Sequence, residues 1–298
     1  MHTQSCYSAQ YRGQGHRIPG PPGCWVGTPP GRRQARRPSS EENQRYCSDA
    51  AARVDWRRVA AGQTRTGGEP VNAARCFGQA TIVLAAISVA RAFGLLGPPV
   101  ISAGLLMASL MLIAWRAGAT AADLGLARED MREGVRYGVG ALGIVLVILV
   151  AIALIPGTNG FLNDSRADIS GGRLIYELTI STVLLTAIPE EFAFRGVLLG
   201  SGVRLWGPWR ASLISSALFG LWHIVPTLHT MSDNRAISGA SNTLAGQVLL
   251  VTGTVAATFV AGLVFSWLRL RSRSLIAPIL AHVATNGLAL LIAWFVAR

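Results

Sequence analysis

The chain contains no lysine, no cysteine beyond residue 76 and few charges of any kind, with only 14% of its 298 residues Asp, Glu, Lys or Arg. A soluble domain of this length carries roughly 25%. The shortfall is concentrated after Cys76, where almost everything is apolar, and 51% of the whole chain is hydrophobic. That composition excludes an ordinary soluble domain. Without lysine, all 27 basic residues are arginine and the net charge is +12, a bias read as codon usage before function. The first 76 residues hold 12 of the 27 Arg and 5 of the 15 acids, and the other Arg cluster at the ends of apolar runs. No zinc-ligand spacing, recognition helix or aromatic-basic interleaving accompanies the charge, so nucleic acid is excluded as a partner. Cys6, Cys24, Cys47 and Cys76 match no zinc pattern and read as free thiols on a tail. The apolar runs hold no cysteine, and no serine stands out beside a base, which argues against covalent catalysis.

What is present falls into two parts: a basic N-terminal tail over 1–75 and a transmembrane domain over 76–298. The tail is rich in Gly, Pro, Ser, Gln and Arg. It cannot bury enough apolar surface to offset its ordering entropy and is expected to be disordered. Its Arg32-Arg33 and Arg36-Arg37 pairs suit anionic lipid headgroups. An alternative held equally is that the natural protein begins nearer residue 70.

Apolar runs follow at 77–96, 100–115, 135–155, 174–199, 211–224, 244–268 and 275–296. Most approach the roughly 20 residues needed to cross hydrocarbon. They are apolar all round and lack period-two alternation, so they read as helices rather than barrel strands. The expected fold is all-α, a polytopic bundle of about seven transmembrane helices. Arginine marks alternate connections: Arg116, Arg128 and Arg132; then Arg204 and Arg210; then Arg269, Arg271 and Arg273. The positive-inside rule places these and the N-terminus in the cytoplasm, with the chain in the inner (plasma) membrane and the C-terminus outside. The segment 121–133 reads as a short amphipathic helix on the cytoplasmic surface, capped by Thr120.

The informative residues are those that hydropathy does not explain. Glu190, Glu191 and Arg195 sit inside the fourth run, where one charge at a helix centre costs roughly 2.5–3.5 kcal/mol. Glu191 and Arg195, four apart, share a helix face and pair. Glu190, rotated about 100° away, has no charge partner on its own helix and is left as a general base. The fifth run carries Phe219 and His223 on one face, with Phe219 placed to wall off whatever the imidazole touches. The seventh carries His282 and Asn286, again four apart. Counted from the flanking arginines at 1.5 Å per residue, these polar groups lie roughly 14–21 Å from the cytoplasmic side. Three helices thus bring their costly residues to one level, which points to a single site.

E-E-F-A-F-R at 190–195 resembles the E-E-x-x-x-R motif of the CAAX prenyl protease type II and bacteriocin-processing (CPBP, or Abi) family. F-G-L-W-H at 219–223 resembles its F-x-x-x-H motif, and H-V-A-T-N at 282–286 its H-x-x-x-N motif. The resemblance covers about 174–296. It implies an intramembrane endopeptidase acting on membrane-associated or lipidated peptides. Glu190 would activate a water with His223 beside it. His282 and Asn286 would bind the scissile carbonyl and its oxyanion. Glu191 and Arg195 would hold the motif helix in place.

Hydrolysis needs a base for water and a donor at the oxyanion, and these four residues supply both. Metal-free glutamate catalysis is the favoured expectation. Zinc held by Glu190, His223 and His282 is the alternative, although H-E-x-x-H is absent. A proton-coupled transporter also uses intramembrane acids and histidines, but no inverted repeat is visible. A non-catalytic immunity protein of the same architecture is the third reading. The expected partners are membrane lipid and a membrane-associated peptide substrate.

Overall fold

A computed structural model describes residues 70–155, 167–231, 241–296 and 298. The described residues are helical and include no strand, as expected for an all-α bundle. The tail expected to be disordered lies outside them as far as residue 69, together with Cys6, Cys24 and Cys47. Helix α1 spans Pro70–Ala92 and α2 spans Pro99–Arg116, the latter opened by Pro99 at its first position, where a fixed φ and a missing N–H cost nothing. A four-residue α3, Ala121–Leu124, leads by a 3₁₀ turn at Arg128–Asp130 into α4, Met131–Leu154.

Six helical stretches are long and apolar enough to cross a bilayer. The fourth, Gly171–Thr230, runs for 60 residues, which would be about 90 Å if straight, far beyond the ~30 Å of hydrocarbon. It is not straight. Gly207 adopts φ 78° and ψ 171°, and Pro208 follows, a pair that stops a helix on both conformational and hydrogen-bonding grounds. The Ser215 hydroxyl donates to the Phe194 carbonyl at 2.7 Å, and the Trp222 indole N–H donates to Glu190 at 2.9 Å. Residues 21 and 32 positions apart meet in this way only if the chain reverses at Gly207. The fourth and fifth expected runs are therefore the two arms of a hairpin, and all seven apolar runs are accounted for.

Within the first arm, α5 (Gly171–Tyr176) passes into a π-helix at Glu177–Ala187. Then come α6 (Ile188–Glu191) and a second π segment at Phe192–Leu198. Helix α7 (Leu199–Trp222) contains the turn at Gly207, so its first residues end the first arm and its remainder forms the second, followed by α8 (Ile224–Thr230). Helix α9 covers Leu244–Ser272. The last span is α10 (Ile276–Val283), a π turn at Ala284–Leu288 and α11 (Ala289–Val296). Helices α7 and α9 touch through small residues: a Cβ added at Gly262 would meet Ser216 Cβ at 2.9 Å. In lipid, where hydrocarbon gives no drive for apolar helices to associate, such close backbone approach is what packs them.

Large apolar side chains point away from this packing. On α4, Ile144, Val147 and Leu154 are 64%, 69% and 76% exposed. In water such a face would drive aggregation, whereas against hydrocarbon it is at ease. The chain is a multi-pass membrane protein.

The segment 121–133 differs from its expectation. Thr120 does cap α3, accepting from the Asp123 N–H while the Asp123 carboxylate accepts from the Thr120 N–H at 2.8 Å, a reciprocal capping box. The helix nevertheless stops at Leu124, because Gly125 takes the left-handed conformation (φ 77°) that closes a helix C-terminus. Glu133 already belongs to α4. Asp123 is buried rather than solvated and pairs with Arg204 at 2.6 Å. Asp130 pairs with Arg273 at 3.0 Å. Buried Arg269 donates to the Ala122 and Asp123 carbonyls at 3.2 and 2.9 Å. Arginines from two later connections thus clasp this first one, and all three arginine-rich connections lie together at one end of the helices.

Candidate functional site

The site is built around Pro189-Glu190-Glu191. Pro189 has no N–H to donate back to Leu185, and its ring crowds that carbonyl. The π register over Glu177–Ala187, immediately before it, opens the turn where an α-helix would clash. A second π segment begins at Phe192, so the two acids occupy a short α turn between widened ones. The first widening rotates the residues beyond it, and both carboxylates are buried in the bundle.

Glu191 is fully buried and its Oε1 accepts from Arg195 Nη1 at 3.0 Å, the pair anticipated from their spacing. The same oxygen lies 2.7 Å from His282 Nδ1. A carboxylate only accepts, so Nδ1 carries a proton and the other ring nitrogen, Nε2, is left with its lone pair when the imidazole is neutral. Arg195 is also fully buried. Its guanidinium lies 4.1 Å from the Phe219 ring centroid and 5.1 Å from that of Phe265, so ring faces stabilise the charge alongside the ion pair.

Glu190 is 8% exposed. Its Oε1 accepts from Trp222, while Oε2 is buried without a hydrogen-bond partner among the described residues. Oε2 lies 3.9 Å from His282 Nε2. That is too long for a hydrogen bond and suits one bridging water. Glu191 Oε2 is likewise buried without a hydrogen-bond partner among the described residues. The two acids differ in their other oxygen: that of Glu191 is shared by Arg195 and His282, whereas that of Glu190 meets only the neutral Trp222 indole.

His223 sits where α7 ends, and its Nδ1 lies 2.8 Å from the Phe219 carbonyl. A carbonyl only accepts, so again Nδ1 donates and Nε2 is the available nitrogen. Phe219 packs edge-on against both imidazoles, 4.6 Å from His223 and 5.9 Å from His282 by ring centroids. It walls the histidines as the spacing suggested, and it also covers Arg195. Asn286 is exposed on the π turn following α10, and its side chain makes no hydrogen bond among the described residues. The structure thus joins Glu190, Glu191, Arg195 and His282 in one network, sets His223 across Phe219 from it, and leaves Asn286 at its margin.

Two residues to which sequence reasoning gave no role belong here. Trp222 fixes Glu190, and the signal was an indole N–H in an apolar helix, which needs a partner when buried. Phe265 stacks on His282 with centroids 5.5 Å apart and planes 30° apart; as an apolar residue in an apolar run it gave no signal. Glu190 and His282 approach one another, and among the described residues no three His, Cys, Asp or Glu side chains gather closely enough to hold a metal ion.

A family model described as type II CAAX prenyl endopeptidase Rce1-like matches residues 173–288, the stretch carrying all three motifs. An Escherichia coli protein described as an uncharacterized 24.3 kDa protein is 32% identical over 175 residues, which cover 57% of this chain and 69% of that protein. No solved structure matches the chain.

Proposed function

Because this chain belongs to the type II CAAX prenyl endopeptidase Rce1-like family, we propose that it hydrolyses peptide bonds of membrane-associated or lipidated peptides with a water activated by Glu190. The observation that carries this reading is the free, buried Oε2 of Glu190 facing His282 Nε2 at 3.9 Å. A water between them hydrogen-bonds to both. Glu190 takes its proton as the water oxygen attacks the scissile carbonyl, then returns that proton to the leaving amine as the C–N bond breaks. Glu191, held by Arg195, keeps His282 in the tautomer that presents Nε2 to the water. His223, across Phe219, keeps Nε2 available to the substrate, and the uncommitted Asn286 carboxamide donates to the oxyanion. No step passes through a metal. Trp222 keeps the other oxygen of Glu190 occupied and so aims the free one.

Detergent-purified protein mixed with a membrane-anchored peptide, followed by mass spectrometry, tests the proposal. New termini are expected, and their formation survives a zinc chelator. Inhibition by the chelator that zinc alone reverses would overturn the metal-free mechanism. Solute flux in vesicles without cleavage supports a transporter, and protection of cells that survives Glu190→Gln supports an immunity protein.

The arginine-clasped end is proposed to face the cytoplasm of the inner membrane. A periplasm-dependent reporter fused after Arg298 is expected to be active; activity only in the cytoplasm would reverse the topology.

A further inference from the structure

A groove of about 520 Å³ opens between α4 and α9, floored by Ala281 and Thr285 of the last span. Its walls are almost wholly apolar and include Ile144, Val264 and Phe265. Ile144 and Val264 are 64% and 49% exposed, so these walls continue the surface that faces hydrocarbon. At one end the chemistry changes. Tyr137 and Trp267 meet edge to face with centroids 6.2 Å apart, the residue types that collect at the membrane–water boundary. Arg136 lines the groove at the same end, and the Arg271 guanidinium lies 5.7 Å from the Tyr137 ring centroid. This end lies toward the clasp, because Arg271 is two residues from Arg273, which is paired with Asp130 just before α4.

Both cations retain most of their charge for another partner. Arg136 faces Glu133 at 3.8 Å with both side chains well exposed, a pairing worth little. Arg271 is exposed and makes no ion pair among the described residues. The groove therefore has an apolar length, an aromatic collar and two cations at its polar end.

We propose that this groove binds one anionic glycerophospholipid, its acyl chain between α4 and α9 and its phosphate against Arg136 and Arg271. The bilayer supplies such a molecule continuously to the surface on which the groove opens. A zwitterionic lipid matches the apolar length but not the unbalanced positive end. The site is distinct from the hydrolytic one, although Phe265 belongs to both, lining the groove and stacking on His282.

Native mass spectrometry of the full chain in detergent, titrated with phosphatidylglycerol or phosphatidylcholine, tests this. Phosphatidylglycerol is expected to bind more tightly. At about fivefold per arginine, Arg136→Gln with Arg271→Gln weakens it roughly 25-fold and leaves phosphatidylcholine unchanged. Arg116→Gln, an exposed arginine away from the groove, leaves the preference intact, which separates a site from diffuse charge. Ala141→Trp, which fills the groove, weakens both lipids. Equal retention of the two lipids by the unmodified chain overturns the proposal, as does a preference that survives loss of both arginines. Since Arg136 and Arg271 are exposed, the double variant is expected to fold and decides the matter even where Ala141→Trp does not.

Discussion

Glu190→Gln is expected to lower the rate of peptide cleavage by about 10²–10⁴-fold, the usual contribution of a general base, while the purified protein unfolds at nearly its original temperature. The substitution preserves shape, and the amide oxygen still accepts from Trp222, which holds Oε1 at 2.9 Å in the unmodified chain. What disappears is the carboxylate oxygen that faces His282 Nε2, and with it the capacity to take a proton from water. Arg195 keeps its hydrogen-bonded counterion, Glu191, so no buried charge is stranded. The comparison requires cleavage rate and thermal unfolding on the same preparation. Undiminished cleavage in a folded Glu190→Gln protein would remove Glu190 from the chemistry.

Glu191→Gln, one residue away, is expected to behave in the opposite way. Among the described residues Glu191 is the carboxylate hydrogen-bonded to Arg195, both side chains being fully buried, and it also orients His282. Neutralising it leaves a guanidinium uncompensated inside the bundle, a change that costs about 3–5 kcal/mol. The folded fraction should fall sharply in a denaturant titration, and activity should fall with it. Removing both charges as Glu191→Met with Arg195→Leu should recover much of that stability, because apolar replacement of a whole buried pair is often neutral or better. Activity should stay low in the double variant, since His282 has lost the acceptor that fixes its tautomer. Full activity there would mean that the Glu191–His282 contact does not position the imidazole. A double variant no more stable than Glu191→Gln would mean that the cost is not electrostatic.

The contrast between adjacent acids shows how far the sequence can be read. Charges in an apolar run are conspicuous because insertion penalises them, and a spacing of four is enough to pair Glu191 with Arg195. The same arithmetic put Phe219 beside His223. It left Glu190 without a charge on its own helix, but nothing local reveals that Trp222 occupies one of its oxygens, because that contact crosses a hairpin. The bond from His282 to Glu191 spans 91 positions and follows from tertiary packing alone. Helix arithmetic also assumes a constant 3.6-residue turn, and π segments at Phe192–Leu198 and Ala284–Leu288 break that assumption near the motifs. The last of them separates the surroundings of His282 and Asn286, one buried and one exposed. In the 121–133 segment the amphipathic pattern was real, but Gly125 stops the helix, and Asp123 and Asp130 face arginines from remote connections rather than water.

A common physical theme links the site and the clasp. Buried arginines here are not neutralised by one acid each. Arg195 has Glu191 and aromatic faces, and Arg269 has backbone carbonyls of the 120–125 turn. In a bundle with so few charges, each costly group is met by several weak partners. Glu190 has no cation hydrogen-bonded to it and turns Oε2 toward His282 Nε2, and the chemistry is assigned to it for that reason.

The most direct test is a high-resolution experimental density map of the purified protein at the Glu190–His282 gap. The account predicts one ordered oxygen within about 3 Å of both Glu190 Oε2 and His282 Nε2, with Glu191 bonded to His282 Nδ1. Side chains turned to different faces of the bundle, or Glu190 Oε2 engaged by another protein group with no room for water, would contradict it.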